Sequence, residues 1–282
     1  LAPPSASNGL VGVFSRHYLL RLLVRREISA RYQGSFLGLL WSYINPLTQF
    51  FIYWFIMGKV IGMEDRAENY AIHVFAGLVV VHFFVETFNA GTRSIVRNSS
   101  LVKKMAMPRE MFPVASMLVS LFHVIPQMVI LVIACVWQGW RPDLVGMASA
   151  VLALGIIMVL GTALALLFST ANVFFRDFSS VVSIMTNFVR FGVPMIYPYT
   201  LVATRFGSHT ELYLSNPIAI GVLLMQRAFW VGTTNDPEAT AIVHLPDHLL
   251  TRGVLALAGS LVLLVIAQLV FTRFEDKIPE RL

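Results

Sequence analysis

Long apolar runs separated by short polar clusters dominate this chain. A helix that crosses the hydrocarbon core of a bilayer needs about 20 apolar residues. Six stretches reach that length: 36–61, 70–90, 111–137, 144–170, 178–197 and 253–272. Only Gln138 to Asp143 separates the third from the fourth, which predicts a tight helical hairpin. Residues 13–35 follow another pattern, alternating Phe14, Tyr18, Leu19, Leu22, Leu23 and Ile28 with arginines. That pattern predicts an amphipathic helix lying in the membrane interface. Residues 198–252 hold an apolar segment from Pro217 to Trp230 that is too short to cross. A re-entrant or interfacial helix fits it, and re-entrant backbone persists at membrane depth only where protein or water covers it. The expected fold is an all-α membrane protein, with residues 1–282 forming one transmembrane domain. It has six transmembrane helices, an N-terminal amphipathic interfacial helix and a re-entrant region between spans five and six. For both non-spanning segments an ordinary membrane-surface helix is the alternative.

Composition supports the same class. The chain is 57% hydrophobic and 13% charged, with mean hydropathy +0.73, whereas a soluble domain carries about a quarter charged residues. The isoelectric point near 9.7 does not point to nucleic acid, because the basic residues gather at the ends of apolar runs. One set of loops carries Arg16, Arg21, Arg25, Arg26, Arg31, Arg93, Arg97, Lys103, Lys104, Arg109 and Arg176, and the tail adds Arg273, Lys277 and Arg281. In the opposite loops Arg66, Arg141, Arg205, Arg227 and Arg252 are diluted by acids. The positive-inside bias predicts that the first set, with both termini, faces the cytoplasm. The single cysteine, Cys135, cannot form an internal disulfide. The polar start, 1–9, lacks the basic-then-apolar order of a signal peptide and reads as a disordered tail.

Little in the chain suggests chemistry of its own. A phosphate-binding loop needs a glycine five residues before Gly-Lys and a Ser or Thr after it. Here the one Gly-Lys pair, Gly58-Lys59, has Tyr53 and Val60 at those places. His82 and Glu86 share one helical face but lack a third metal ligand, so no metal is expected. Glu86 is expected to pair with Arg93 or another basic group. Arg190, deep in an apolar run, needs an acid, a carbonyl or an aqueous cavity. His73 and His123 read as satisfied interior histidines. One membrane carboxylate is poor equipment for ion coupling, so energy for any transport has to come from outside the chain.

Two clusters remain. The polar island at 98–110, with Asn98, Leu101, Lys103, Lys104, Pro108, Arg109 and Glu110, sits between two apolar runs and suits a soluble partner. Its Met105 and Met107 could fill an irregular cleft, although Lys103 and Lys104 also serve the charge bias. The first apolar run carries Trp41, Tyr43, Asn45, Gln49, Phe50, Tyr53 and Trp54. Aromatic faces stack on the C–H faces of sugars, and amides bond their hydroxyls. An interfacial aromatic belt is the alternative.

Five motifs, in order along the chain, resemble one family. They are Arg25-Arg26-Glu27 through Arg31-Tyr32 to Asn45-Pro46, the island with Lys103-Lys104 and Pro108-Arg109-Glu110, Asn172 through Arg176-Asp177, Pro194 through Tyr197-Pro198, and Ser215-Asn216-Pro217. The family is the membrane subunits of ABC-2-type exporters of lipid-linked polysaccharides such as O-antigen, teichoic acid, capsule and galactan. The resemblance implies a permease of the bacterial plasma (inner) membrane and not an enzyme. It implies pairing with a second copy and with two nucleotide-binding ATPase subunits that hold ATP and Mg, no cofactor being bound by this chain. The lipid-linked polysaccharide, with galactan the favoured case, and membrane lipids would be its other partners. By the same resemblance the island and Arg176-Asp177 would meet the ATPase, and Arg25, Arg26 and Arg31 would receive the lipid pyrophosphate. The first-span aromatics would line a sugar channel, and Tyr197, Pro198, Asn216 and Pro217 would form an outer gate. Anionic-lipid anchoring remains open for the arginines, and a helix-capping ion pair for Arg176-Asp177. A permease for a smaller cargo, an ion-coupled transporter and a membrane glycosyltransferase are the alternatives. The last would need free acids on the cytoplasmic side, where Glu27, Glu110 and Asp177 each stand beside an arginine.

Overall fold

The computed structural model describes residues 9–105 and 107–282; the tail at 1–8 and Ala106 lie outside the described residues. Among the described residues every regular element is helical. Two short helices open the chain, α1 (Gly9–Ser15) and α2 (His17–Tyr32). The expected single amphipathic helix is therefore broken at Arg16. Val13, Leu20 and Leu23 are buried, while Phe14, Tyr18 and Leu22 face outward with Arg21, Arg25 and Arg26. A helix with one face on protein and an exposed apolar and basic edge suits a membrane interface.

The first predicted span is not one continuous α-helix. A 3-10 turn at Gly38–Leu40 leads into α3 (Trp41–Tyr53), which continues as a π-helical turn at Trp54–Val60. Pro46 lies within α3. A proline removes one backbone donor, and such breaks survive in membranes where neighbours satisfy the freed groups.

The central helix is α4 (Tyr70–Arg97), which runs past the predicted limit at residue 90. It is buried along most of its length and packs against α6 (Met111–Trp137) and α7 (Leu144–Phe174). Close approach needs small residues. A Cβ added to Gly91 would stand 2.4 Å from the Ala165 Cβ, and one on Gly161 2.9 Å from Thr87. The short α5 (Ser99–Lys104) joins α4 to α6. Next, α8 (Phe178–Gly192) has 15 residues and stops before Val193-Pro194, short of the predicted limit at 197. A proline pushes its predecessor out of helical geometry, and Val193 is extended.

The 198–252 region is largely helical: α9 (Tyr199–Phe206), α10 (Thr210–Leu214), α11 (Pro217–Ala228) and α12 (Pro237–His244). Asn216 and Asp236 cap α11 and α12, each followed by a proline at the first helical position. This is the favoured way to start a helix. The segments Tyr199–Leu214 and Pro217–Thr233 meet at 107°. Both far ends of that bent pair return to the start of α4. Tyr70 donates from its hydroxyl to the Ile196 carbonyl, and Trp230 donates to the Glu68 carbonyl at 2.6 Å. The chain closes with α13 (Leu249–Glu275), laid on α7, and α14 (Ile278–Arg281).

Among the described residues four helices, α4, α6, α7 and α13, are long and apolar enough to cross a membrane, or up to five spans if the bent pair counts as one. The outward side of α13 exposes Leu255, Val262 and Leu269. A continuous apolar face of that kind belongs in lipid.

The loops at the α4 N-terminal end are stitched together. Asn69 donates to the Thr233 carbonyl at 2.7 Å, Arg141 N–H to Gly232 at 2.8 Å, and Trp140 to Ala228 at 3.2 Å. Arg227 grips Asp143 with two bonds, at 2.6 and 3.1 Å, and the same carboxylate caps α7 through Gly146 N–H. Partial burial of Asp143 works to raise its pKa, but Arg227 and the backbone donors outweigh it and hold the carboxyl below the usual range. A depressed folded-state pKa adds stability above the unfolded value of about 4 and loses it as pH falls through the folded value. Accordingly, Asp143→Asn should lower the melting temperature at pH 6, and the gap from wild type should shrink as pH falls below about 4. A gap independent of pH would show that charge pairing at Asp143 contributes nothing.

Candidate functional site

Ionisable groups at membrane depth are expensive, so the helices that carry them have to face one another or water. Five elements do this around one polar cavity of about 560 Å³. It is lined by the end of α2, by α3, α4 and α6, and by Arg190 of α8. A second cavity of about 360 Å³ shares Arg31, Glu86, Ala90 and Arg97 with the first and adds Arg26 and Glu27.

At the join lies a tight cluster. Glu86 of α4 pairs with Arg31 of α2 and accepts from His123 Nδ1 of α6 at 2.7 Å. His123 Nε2 lies 2.9 Å from the Tyr32 hydroxyl, which in turn meets the Ser42 hydroxyl at the start of α3. The expected basic partner of Glu86 is thus Arg31 rather than Arg93, which donates to Ser183 at 3.0 Å. His123 is 4% exposed and is satisfied on both ring nitrogens, as an interior histidine should be. His82 bonds Gln49, and Arg190 donates to the same Gln49 carbonyl oxygen at 3.2 Å. Arg190 therefore finds both a carbonyl and a cavity. Among the described residues no group of three potential ligands stands close enough to hold a metal ion.

The first-span residues divide between two places. Trp41, Asn45 and Gln49 line the arginine-rich cavity, and Tyr43 is half-buried away from it. Phe50 and Trp54 line a separate cleft near the start of α4, with Glu64, Asp65 and Asn69. There Phe50 packs edge-on to Phe75, and Trp54 donates to Glu64 at 3.0 Å beneath the Lys59 ammonium. Tyr53 packs on the hydrophobic core. Of the three arginines singled out from sequence, Arg31 lines both cavities, Arg26 lines the smaller, and Arg25 lies on the exposed side of α2. Sequence reasoning left Tyr32, Asn89, Arg93 and Arg97 unassigned to this site. A polar residue one helical turn from Glu86 was the available signal for Asn89, and a basic one two turns away for Arg93.

The polar island falls into two parts. Lys103, Lys104 and Met105 are exposed, and Leu101 is half-buried. Asn98 is buried at the start and donates to Glu27 at 3.2 Å. From Met107 onward the chain is pinned to the last long helix. Pro108 is buried, Arg109 donates to the Glu275 carbonyl, and Glu110, 0% exposed, accepts from Gln268 at 2.9 Å. Arg176 and Asp177 project from an exposed turn with Phe175, and no ion pair joins the two among the described residues. The cap of α8 comes from Asn172, whose side-chain oxygen accepts from Ser179 N–H at 3.2 Å. At the other end, Tyr197 donates to the Phe191 carbonyl at 3.0 Å and touches the Tyr213 hydroxyl. Pro198 is buried, and Asn216 and Pro217 start α11.

A family model described as "ABC-2 type transporter" matches residues 18–229. Two proteins of Klebsiella pneumoniae, each named "O-antigen export system permease protein RfbA", are 27% and 28% identical to this chain. The matches cover 86% and 83% of this chain and 92% and 88% of theirs. A protein of the same name from Myxococcus xanthus is 27% identical over 78% of this chain and 83% of its own.

The fully buried Glu110 makes a stability test. Gln268→Leu removes the amide that donates to it. Loss of the donor to a buried acceptor costs about 1–3 kcal/mol, so the melting temperature should fall. An unchanged melting temperature would show that the bond to Gln268 does not hold this junction.

Proposed function

The chain belongs to the ABC-2 type transporter family, and from that premise we propose that it is the membrane permease through which a polysaccharide on a lipid diphosphate carrier is exported. One observation carries the reading. A single cavity combines four arginines with Trp41, Asn45 and Gln49. Arginine suits phosphate through its planar fork of donors, and the tryptophan and amides suit sugar rings. Permeases of the same system type in Klebsiella pneumoniae and Myxococcus xanthus support a polysaccharide cargo. Galactan is the first polymer to test, since the motif resemblance favours it.

On this reading the arginine-rich end faces the cytoplasm of a multi-pass protein in the inner membrane, with both termini on that side. The broken helix at 38–60 and the short α8 count as spans one and five, giving six. The bent pair is re-entrant, because both its far ends return to Tyr70 and Glu68. A polymer needs a tube rather than a pocket, and six helices enclose none, so two copies surround the path; closed two-fold dimers are the commonest assemblies. ATP is hydrolysed on a separate subunit. The exposed Lys103, Lys104 and Met105 and the Arg176-Asp177 turn, both at the arginine-rich end, are the surfaces that meet it, whereas Arg109 and Glu110 brace the segment from behind.

The test is reconstitution with the ATPase chain encoded alongside. Lipid-linked glycan should stimulate ATP hydrolysis, and a Lys103→Ala/Lys104→Ala variant should lose about tenfold of that stimulation, equivalent to about 1.4 kcal/mol of coupling. A Trp41→Ala/Asn45→Ala variant should keep the complex but export less polymer. An ATPase that never associates with the folded chain, or full export by the cavity variant, would overturn the reading.

A further inference from the structure

Among the described residues lining the larger cavity, Glu86 is the only carboxylate, set against Arg31, Arg93, Arg97 and Arg190. The other three arginines have partners that leave the cavity positive. Arg93 bonds a serine, Arg190 an amide, and Arg97 a glutamate on the smaller cavity's wall. In the larger cavity an arriving diphosphate therefore meets one lining carboxylate, which is held on Arg31, while Glu27 stands behind Arg97. The Arg31 side chain is 50% exposed and Glu86 is 22% exposed, so the pair faces the cavity instead of being sealed behind it.

We propose that Glu86 is an internal counter-anion that holds Arg31 in the empty permease and yields it to the diphosphate of the incoming lipid. Glu86 and His123 are then positioning residues for Arg31. The proposal rests on the reading of this cavity as the entry site for a lipid diphosphate. His123 makes the exchange feasible. His123 Nε2 meets the Tyr32 hydroxyl, which meets the Ser42 hydroxyl, and because a carboxylate only accepts, Nδ1–H donates to Glu86. That bond stays with Glu86 when Arg31 turns away. A buried carboxylate stripped of every partner would make the swap prohibitive. Charge is conserved, since Arg31 trades one anion for another. Tyr32 stays bonded to His123, so α2 remains docked while the Arg31 side chain moves. A purely structural staple would have no need of a half-exposed arginine beside three others.

The experiment uses the full chain with its ATPase in phosphatidylcholine nanodiscs and farnesyl diphosphate as the probe. Glu86→Gln keeps the shape and removes the competing charge, so it should bind the probe about tenfold tighter than wild type. The gain should vanish in an Arg31→Gln background. A structural staple predicts the opposite sign, because loosening Arg31 would weaken binding. If wild-type binding depends on Arg31 but Glu86→Gln binds equally or more weakly, the exchange is refuted and the entry-site reading stands. If Arg31→Gln leaves wild-type binding unchanged, the entry-site reading falls and the exchange with it. Inorganic pyrophosphate is the second probe. Weaker binding than the lipid with the same gain supports a lipid diphosphate as ligand, and equal binding of the two overturns the lipid assignment. Should Glu86→Gln fail to assemble, Glu86→Asp keeps the charge but shortens the reach to Arg31. It should bind about threefold tighter, and unchanged or weaker binding would refute the exchange.

Discussion

A carboxylate inside an apolar bundle has to be answered from within the protein, because hydrocarbon offers no donors. Glu86 imposes that demand on α4, and the answer comes from Arg31 at the end of α2 and His123 on α6. Meeting it ties the basic helix to the bundle at one place. It also fixes where the chain can turn into α3, since Tyr32 and Ser42 join the same cluster. The cavity follows from this arrangement. Helices that must present Arg93, Gln49, His82 and Arg190 to one another cannot close tightly over apolar side chains.

The two ends of the bundle are held in different ways. Near the start of α4, backbone and side-chain bonds among three loops weave a lid around Trp230, which is 1% exposed. At the arginine-rich end the fixing is local. Asn98 anchors one side of a short exposed helix, and Pro108 to Glu110 anchor the other against α13. Val102 buries the middle of that helix against α4, α6 and α13, so a push from a partner docked on Lys103 and Lys104 would pass into all three together. That is what a coupling element requires on the proposed reading.

Hydropathy made the long helices legible. The runs at 111–137 and 144–170 reappear as α6 and α7, because each is long and predominantly apolar. It missed the break within 36–61, where Pro46 and the π-helical turn interrupt a composition that looks continuous. The early end of α8 follows from Val193-Pro194, a local signal that the apolar count overrode. Within the site, the ionisable residues stood out by cost alone, but their partners did not. Arg31 and Glu86 lie 55 positions apart, and His123 a further 37 beyond Glu86. No local pattern encodes such pairing. Glu110 was misleading for the same reason: beside Lys103 and Arg109 it looks like surface, yet α13 covers it.

The central claim is that the arginine-lined cavity is an aqueous path opening to the cytoplasm. Cysteine accessibility tests it most directly, with Cys135→Ala as the background and single cysteines replacing Asn45 or Asn89. In inside-out vesicles a membrane-impermeant thiol reagent should label both positions, and lipid-linked glycan should protect them. Labelling only from the outer face, or none from either side, would contradict the account.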